Sequence, residues 1–159
     1  ITAGLMAEFI RNLGFQAVPG GNDVGLNVPL AIDAGLGQQG RNGILITPEL
    51  GSRLRISKVF TDMPVIPDKP IDFGVNEFCE TCKKCAEACE VDAISFEDER
   101  SWTPVSRANN PGAKKWYIET EKCQEYWYDN ASECSTCISV CPYTIGKHEA
   151  RPEEFWSYP

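Results

Sequence analysis

The chain has 159 residues, 42% hydrophobic and 24% charged, with eight Cys and a formal net charge of -8, a composition that fits a soluble globular protein. No stretch approaches the roughly 18 to 20 apolar residues needed to cross a bilayer, and no basic, signal-like segment opens the chain. Acids outnumber bases 23 to 15, which argues against nucleic acid as a partner, duplex above all, because most of that affinity comes from Lys and Arg neutralising phosphates.

The chain opens on Ile1, enters a helical pattern at once and stops at Tyr158-Pro159 without a terminating element, so it reads as a segment of a longer protein. Leu5, Met6, Phe9, Ile10 and Leu13 recur at helical spacing and predict a core-facing helix, with Gly14 as its left-handed C-terminal cap. Phe15 to Val18 reads as a short strand and Pro19 to Gly25 as loop. Pro29 suits the first turn of a helix running to about Ala34. Ile44 to Thr47 and Arg53 to Thr61 read as two strands separated by the turn Pro48-Glu-Leu-Gly51. Helices alternate with strands, which points to an α/β layer rather than a bundle.

Gly35-Leu-Gly37-Gln-Gln-Gly40 spells the G-x-G-x-x-G of dinucleotide-binding units, but it follows a helix and precedes a strand, the inverse of the required context. What remains is backbone without Cβ atoms, able to lie against a flat, bulky ligand; on that ground Gly35, Gly37 and Gly40 are candidate cofactor contacts, a plain loop being the alternative.

Composition changes near residue 74. Residues 1–73 hold no Cys, Trp or Tyr, and ten of the thirteen Gly; residues 74–159 hold all eight Cys and all nine Trp and Tyr, with nine basic and sixteen acidic residues. Between them, Met63-Pro-Val-Ile-Pro-Asp-Lys-Pro70 forces extended backbone.

The cysteines are spaced Cys79-x2-Cys82-x2-Cys85-x3-Cys89 and Cys123-x10-Cys134-x2-Cys137-x3-Cys141-Pro142. The first run matches the two-cluster ferredoxin pattern apart from Glu90 in place of Pro, and the second matches it with a stretched first gap. Three thiolates in a tight loop wrap one cubane, while the fourth Cys, expected on the following helix, serves the neighbouring one. That crossing rule assigns Cys79, Cys82, Cys85 and Cys141 to one [4Fe-4S] cluster, and Cys123, Cys134, Cys137 and Cys89 to the other. Disulfide scaffolds are denser in Cys, at about 8 to 10%. Structural zinc prefers separated C-x2-C pairs, and the overlapping pairs here overfill a tetrahedral site. Two clusters with all-protein sulfur ligands form a wire, so the chemistry belongs to another centre. The acidic surface of this half reads as a solvated face, with steering of an electron donor as the alternative. The lone His148 lacks the Asp-x-His-x-x-Gly context of an axial corrinoid ligand and reads as a surface residue; the aromatic tail Phe155-Trp156-Ser-Tyr158 is too short to interpret.

Several stretches together resemble the corrinoid-dependent reductive dehalogenases: Asn22 to Gly37, Leu45-Ile-Thr-Pro48, Arg53 to Asp62, Cys79 to Ala93, and Lys115-Trp-Tyr-Ile-Glu-Thr-Glu-Lys-Cys123. The resemblance implies a cobamide bound base-off in a nitroreductase-like α/β (α+β) domain, fed by two [4Fe-4S] clusters in a dicluster ferredoxin-like domain. Residues 1–73 would end the corrinoid-binding domain, 74–146 form the cluster domain and 147–159 open a C-terminal unit. It also implies removal of halide from a small organohalide, with a tyrosine as proton donor supported by an arginine and an asparagine. By motif position these are Arg55 and Asn22, with Arg53 and Asn27 close by. Leu54 and Ile56 facing the core of a strand would turn Arg55 outward with Arg53. A guanidinium beside a phenol lowers its pKa, whereas a surface salt bridge is the plainer use of Arg55. Every Tyr lies in the cysteine half, so the proton donor is expected upstream of Ile1 and the segment alone is expected to be inactive. Twin-arginine export and a small membrane anchor protein are implied as well. The alternatives are an epoxyqueuosine reductase, for which the acidity is unfavourable, and a dicluster electron carrier, which leaves residues 1–73 unexplained.

Overall fold

The structure is a computed structural model that describes residues 1–145; His148, the aromatic tail and the predicted C-terminal unit lie outside the described residues. The chain forms two compact units, one of residues 1–36 with 54–71 and the other of residues 37–53 with 72 onward. The packing division therefore differs from the compositional one near residue 74. The Cys-free segment 37–53 packs with the cysteine half.

In the first unit, helix α1 (Thr2–Asn12) ends on Leu13, and Gly14 follows at φ 95° as the cap rule anticipates. Strand β1 (Ala17–Gly20) pairs antiparallel with β4 (Lys58–Thr61), in the register Ala17 to Thr61 and Gly20 to Lys58. Pro19 and Gly20, expected in a loop, belong to this strand; a two-stranded sheet is all edge and tolerates proline. Between them, α2 (Asn27–Asp33) carries Pro29 in its first turn.

The core of this unit is Ala7, Ile10 and Ala17, packed by Phe15, Val59 and Met63. The prediction of a core-facing α1 holds only for its Ala7–Ile10 side. Leu5, Met6, Phe9 and Leu13 are exposed, because a sheet of two short strands has too little surface to cover the whole apolar stripe. Residues 53–57 are not strand, although exposure still alternates as expected, with Arg53 and Arg55 outward.

In the second unit, β2 (Gln38–Gln39) and β3 (Leu45–Ile46) form an antiparallel pair, and Thr47 bridges Gly51 across the predicted turn. Five short helices follow: α3 (Val75–Thr81), α4 (Lys84–Glu87), α5 (Thr120–Asp129), α6 (Thr136–Ser139) and α7 (Pro142–Ile145). The buried Gln38 ties segment 37–53 to the start of α3, its side-chain carbonyl accepting from Phe73 N at 2.8 Å and Val75 N at 3.2 Å. At the other end, the buried Ser52 and Thr144 hydroxyls bond at 2.7 Å, and Ser52 N donates to Thr144 Oγ1 at 3.3 Å. Ser52→Ala removes the hydroxyl–hydroxyl bond and leaves the buried Thr144 Oγ1 only the longer bond from the backbone N of residue 52; it is expected to lower stability by about 1–2 kcal/mol, read as a lower thermal midpoint of the cluster-loaded protein.

The glycines 35, 37 and 40 have a packing explanation that the sequence does not reveal. A Cβ on Gly35 would lie 2.6 Å from the Lys69 carbonyl oxygen, one on Gly37 would run into the Ile46 carbonyl, and one on Gly40 would lie 2.6 Å from Ile46 Cδ1. The space beside each is filled by the chain itself, and the stretch read as loop contains strand β2.

Candidate metal centres

Seven of the cysteines lie in a short helix or at the end of one, and Cys134 lies two residues before α6. Cys79 lies in the last turns of α3, and Cys82 follows as its C-cap in extended conformation. Cys85 sits in α4, Cys123 in α5 and Cys137 in α6. Cys89 and Cys141 come one residue beyond the caps of α4 and α6, so each fourth cysteine stands past the helix end rather than on the next helix. Helices of about one turn suit this task, because each ends before its cysteines diverge around the axis.

The side chains gather into two sets. Cys79, Cys82, Cys85 and Cys141 line one hollow, together with Asn42, Ile46, Phe78, Pro142 and Tyr143. Tyr143 closes it with its ring edge-on to Phe78, at a centroid separation of 5.2 Å. Burial pushes the Cys79 thiol up to about 11 and the Cys85 thiol to about 12, and in each case other thiols of the set push the same way. The second set comprises Cys89, Cys123, Cys134 and Cys137. Burial pushes Cys137 up to about 11, followed by repulsion from Cys134, Cys123 and Cys89; Cys123 rises through burial, then Cys89 and Cys134. The sets come near each other at Cys85, which also senses Cys137, within a small core of Cys85, Ala86 and Ile94 packed by Cys89, Cys137 and Val140.

All eight cysteines are free of disulfides. Among the described residues no three His, Cys, Asp or Glu side chains close on a point suited to a single metal ion. The first set instead spreads around a cavity and contains only sulfur donors, which fits a cubane better than a mononuclear site. Donors to sulfur are also in place. Ala93 N donates to Cys89 Sγ at 3.3 Å, and the Thr136 hydroxyl lies 3.5 Å from Cys134 Sγ, where it can donate once that sulfur is a thiolate.

Residues 78–145 match the family described as the 4Fe-4S dicluster domain. The chain is 50% identical over 141 residues, 87% of its length, to the tetrachloroethene reductive dehalogenase of Desulfitobacterium hafniense, of which it covers 26%. Over its matched length the chain is homologous to the reductive dehalogenases. A solved reductive dehalogenase, described as suggesting a mechanism for B12-dependent dehalogenation, matches 89% of the chain and 20% of its own at a TM-score of 0.74 and 34% identity. A more distant relative is the epoxyqueuosine reductase of Listeria monocytogenes, 32% identical over 120 residues, covering 76% of this chain and 30% of that protein. The chain thus spans about a quarter of the length of the curated reductive dehalogenases it is similar to.

Two residues that sequence reasoning missed belong to the metal centres. Arg41 is buried and bonds the carbonyl of Cys79 through Nη2 at 2.7 Å and Nε at 3.1 Å; Asn42 is buried, lines the first hollow and donates to the carbonyl of Cys137 at 3.3 Å. Adjacent residues thus reach a cysteine of each set. The one available signal was a cation flanked by glycines in Gly40-Arg-Asn-Gly43, immediately before an apolar strand.

The residues expected to support proton transfer lie in the first unit. Asn22 accepts from the Asn27 side chain, and Asn27 in turn accepts from Lys58, whose ammonium also donates to Gly21 O at 2.6 Å. Asn22 and its neighbour Asn27 are therefore parts of one network. Arg55 is exposed, whereas Arg53 falls in the second unit and reaches Thr144 O at 3.5 Å.

Proposed function

We propose that this chain is the electron-delivering part of a corrinoid-dependent reductive dehalogenase acting on a small organohalide of the chloroethene class. The observation that carries the reading is the sorting of eight cysteines into two sets of four, each joining three cysteines of one run to the fourth of the other, in a sequence 50% identical to a tetrachloroethene reductive dehalogenase. Cys79, Cys82, Cys85 and Cys141 would hold one [4Fe-4S] cluster; Cys89, Cys123, Cys134 and Cys137 would hold the other. When bound, the clusters supply one-electron transfer, and a base-off cobamide supplies the reduced metal centre for carbon–halogen cleavage.

The chain's own residues do the rest. Burial of Cys79, Cys85 and Cys141 keeps water from those sulfurs, and the small core of Cys85, Ala86 and Ile94, against which Cys89 and Cys137 pack, brings cysteines of the two sets together. Arg55 and Asn22 are proposed to flank a tyrosine supplied by another part of the protein, with the guanidinium favouring the phenolate and so easing proton release. Residues 1–73 are proposed to contribute to a nitroreductase-like corrinoid-binding domain; since the chain fills the space beside Gly35, Gly37 and Gly40, their being glycine does not require a cofactor there. No helix of the described residues is long and apolar enough to cross a membrane, and attachment to the outer face through an anchor protein is proposed from the family alone.

The test is anaerobic assay of the complete protein for halide release with reduced viologen, alongside iron and cobalt content. About eight irons, one cobalt and halide release are expected; zinc in place of iron would refute the reading. The epoxyqueuosine reductase relative motivates a second reading, in which queuosine is restored in tRNA, though net charge -8 is poorly suited to a polyanion. Arg55→Leu in the complete enzyme is expected to lower dehalogenation by about 100-fold or more, at unchanged iron and cobalt content. Retained turnover would remove Arg55 from the mechanism.

A further inference from the structure

Arg41 is 1% exposed and among the largest fully buried side chains. Burying a cation requires partners, and its partners are unusual in all being neutral. Nη1 donates to Ser95 O at 2.6 Å and Glu97 O at 2.7 Å; Nη2 donates to Cys79 O at 2.7 Å and Glu80 O at 3.4 Å; Nε donates to Cys79 O at 3.1 Å. The guanidinium carbon Cζ lies 4.5 Å from the centroid of the Trp116 ring, over its face, and that ring is anchored by Nε1 donating to Glu97 O at 2.9 Å. Five contacts thus occupy the five-donor fork, and among the described residues no carboxylate forms an ion pair with it. Asp98 senses Arg41, but that carboxylate is largely exposed and bonded to Lys83 at 2.6 Å. A second cation, Arg100, lies 6.0 Å over the same Trp116 ring.

The result is a positive charge, uncompensated in the interior, attached to the backbone of a first-set cysteine. Part of this is architecture: the Cys79 and Glu80 carbonyls belong to the last turn of α3, where no intrahelical partner exists, and Arg41 supplies one. A neutral donor would do that equally well. Burying a full charge to hold carbonyls calls for a further reason, and its electrostatics provide one.

We infer that Arg41 is a positioning residue that sets the reduction potential of the cluster held by Cys79, Cys82, Cys85 and Cys141, raising it relative to a neutral side chain. Each one-electron reduction, with the electron coming from the protein's electron donor, adds one negative charge inside the thiolate cage. A permanently cationic neighbour in a low-dielectric surround stabilises that charge. The hydrogen bonds on Cys79 O act in the same direction by drawing electron density from the ligand's backbone. The second set receives only the neutral Asn42 from this segment, so Arg41 separates the two potentials.

This inference rests on the assignment of the two clusters, and its test separates the two. The complete, cluster-loaded protein is titrated electrochemically under EPR, as wild type, Arg41→Gln and Arg41→Lys, with iron counted in each. In Arg41→Gln one midpoint is expected to fall while the other stays. At the wild-type midpoint the reduced-to-oxidised ratio of the affected cluster drops about tenfold, or about 59 mV for one electron. Arg41→Lys, which keeps a charge on a shorter and less well anchored reach, is expected to fall between. Unchanged midpoints in a fully loaded Gln variant overturn the inference, as does an equal shift of both. If the Gln variant does not load iron, the Lys variant decides by a partial fall or none, and loss of iron from both variants overturns the inference in favour of a purely structural brace. Iron missing from the wild type would instead refute the cluster assignment itself.

Discussion

Replacing Cys141 with Ala is expected to abolish the same cluster as replacing Cys82, although 59 residues separate them, and to leave the other cluster in place. Cys89→Ala is expected to behave like Cys134→Ala. Iron would fall from about eight to about four per chain in each variant, and the EPR signal that survives would be identical within each pair and different between pairs. The expectation follows from the surroundings of the side chains: Cys141 lines the hollow of Cys79, Cys82 and Cys85, whereas Cys89 raises the thiols of Cys123 and Cys137. The effect is all-or-none for one cluster, because a cubane lacking a protein ligand exposes an iron to solvent and other ligands. If Cys141→Ala instead removed the cluster served by Cys134, each run would form its own site and the crossed arrangement would be wrong.

The cysteine chemistry was legible because it is local. Spacings of two and three residues determine which sulfurs share a loop, and the crossing of the fourth follows from the helix turn that intervenes. Helices α1 and α2 were legible for the same reason, through apolar periodicity, the cap at Gly14 and the proline in a first turn. What escaped is non-local. Arg41 meets Cys79, Ser95 and Glu97 across 38, 54 and 56 residues of chain, and no periodic pattern announces such a contact. Segment 37–53 looked like part of the Cys-free half because composition follows chemistry, whereas packing follows the hydrogen bonds of Gln38, Arg41, Asn42 and Ser52. The same blindness affected the glycines. A missing Cβ signals a close approach, but the sequence does not say to what, and here the partners include the Ile46 carbonyl and the Lys69 carbonyl. The exposed stripe of α1 is the converse case, where periodicity located the helix correctly but overstated how much of it the described unit buries.

Gly51→Ala should be the most damaging single methyl in the second unit. Gly51 has φ 62°, a left-handed conformation, and a Cβ there would run into the carbonyl of Tyr143. The left-handed backbone costs an alanine about 1–2 kcal/mol, and displacing a packed backbone adds about 1–3 kcal/mol, so a loss of about 2–5 kcal/mol is expected. The damage is directed. Gly51 exchanges hydrogen bonds with Thr47 at 2.9 and 3.0 Å, the next residue is locked to Thr144, and Tyr143 lies two residues beyond Cys141. Pushing the chain at Tyr143 therefore moves the fourth sulfur of the first set, and iron should fall toward about four per chain, with the second cluster retained. Gly14→Ala provides the control: φ is 95°, but nothing lies within 4 Å of the added methyl, so only the backbone cost of about 1–2 kcal/mol is expected, with iron unchanged. Thermal midpoints and iron content of the two variants decide the matter, and equal behaviour would mean that the bridged turn 47–51 does not hold the Cys141 turn in place.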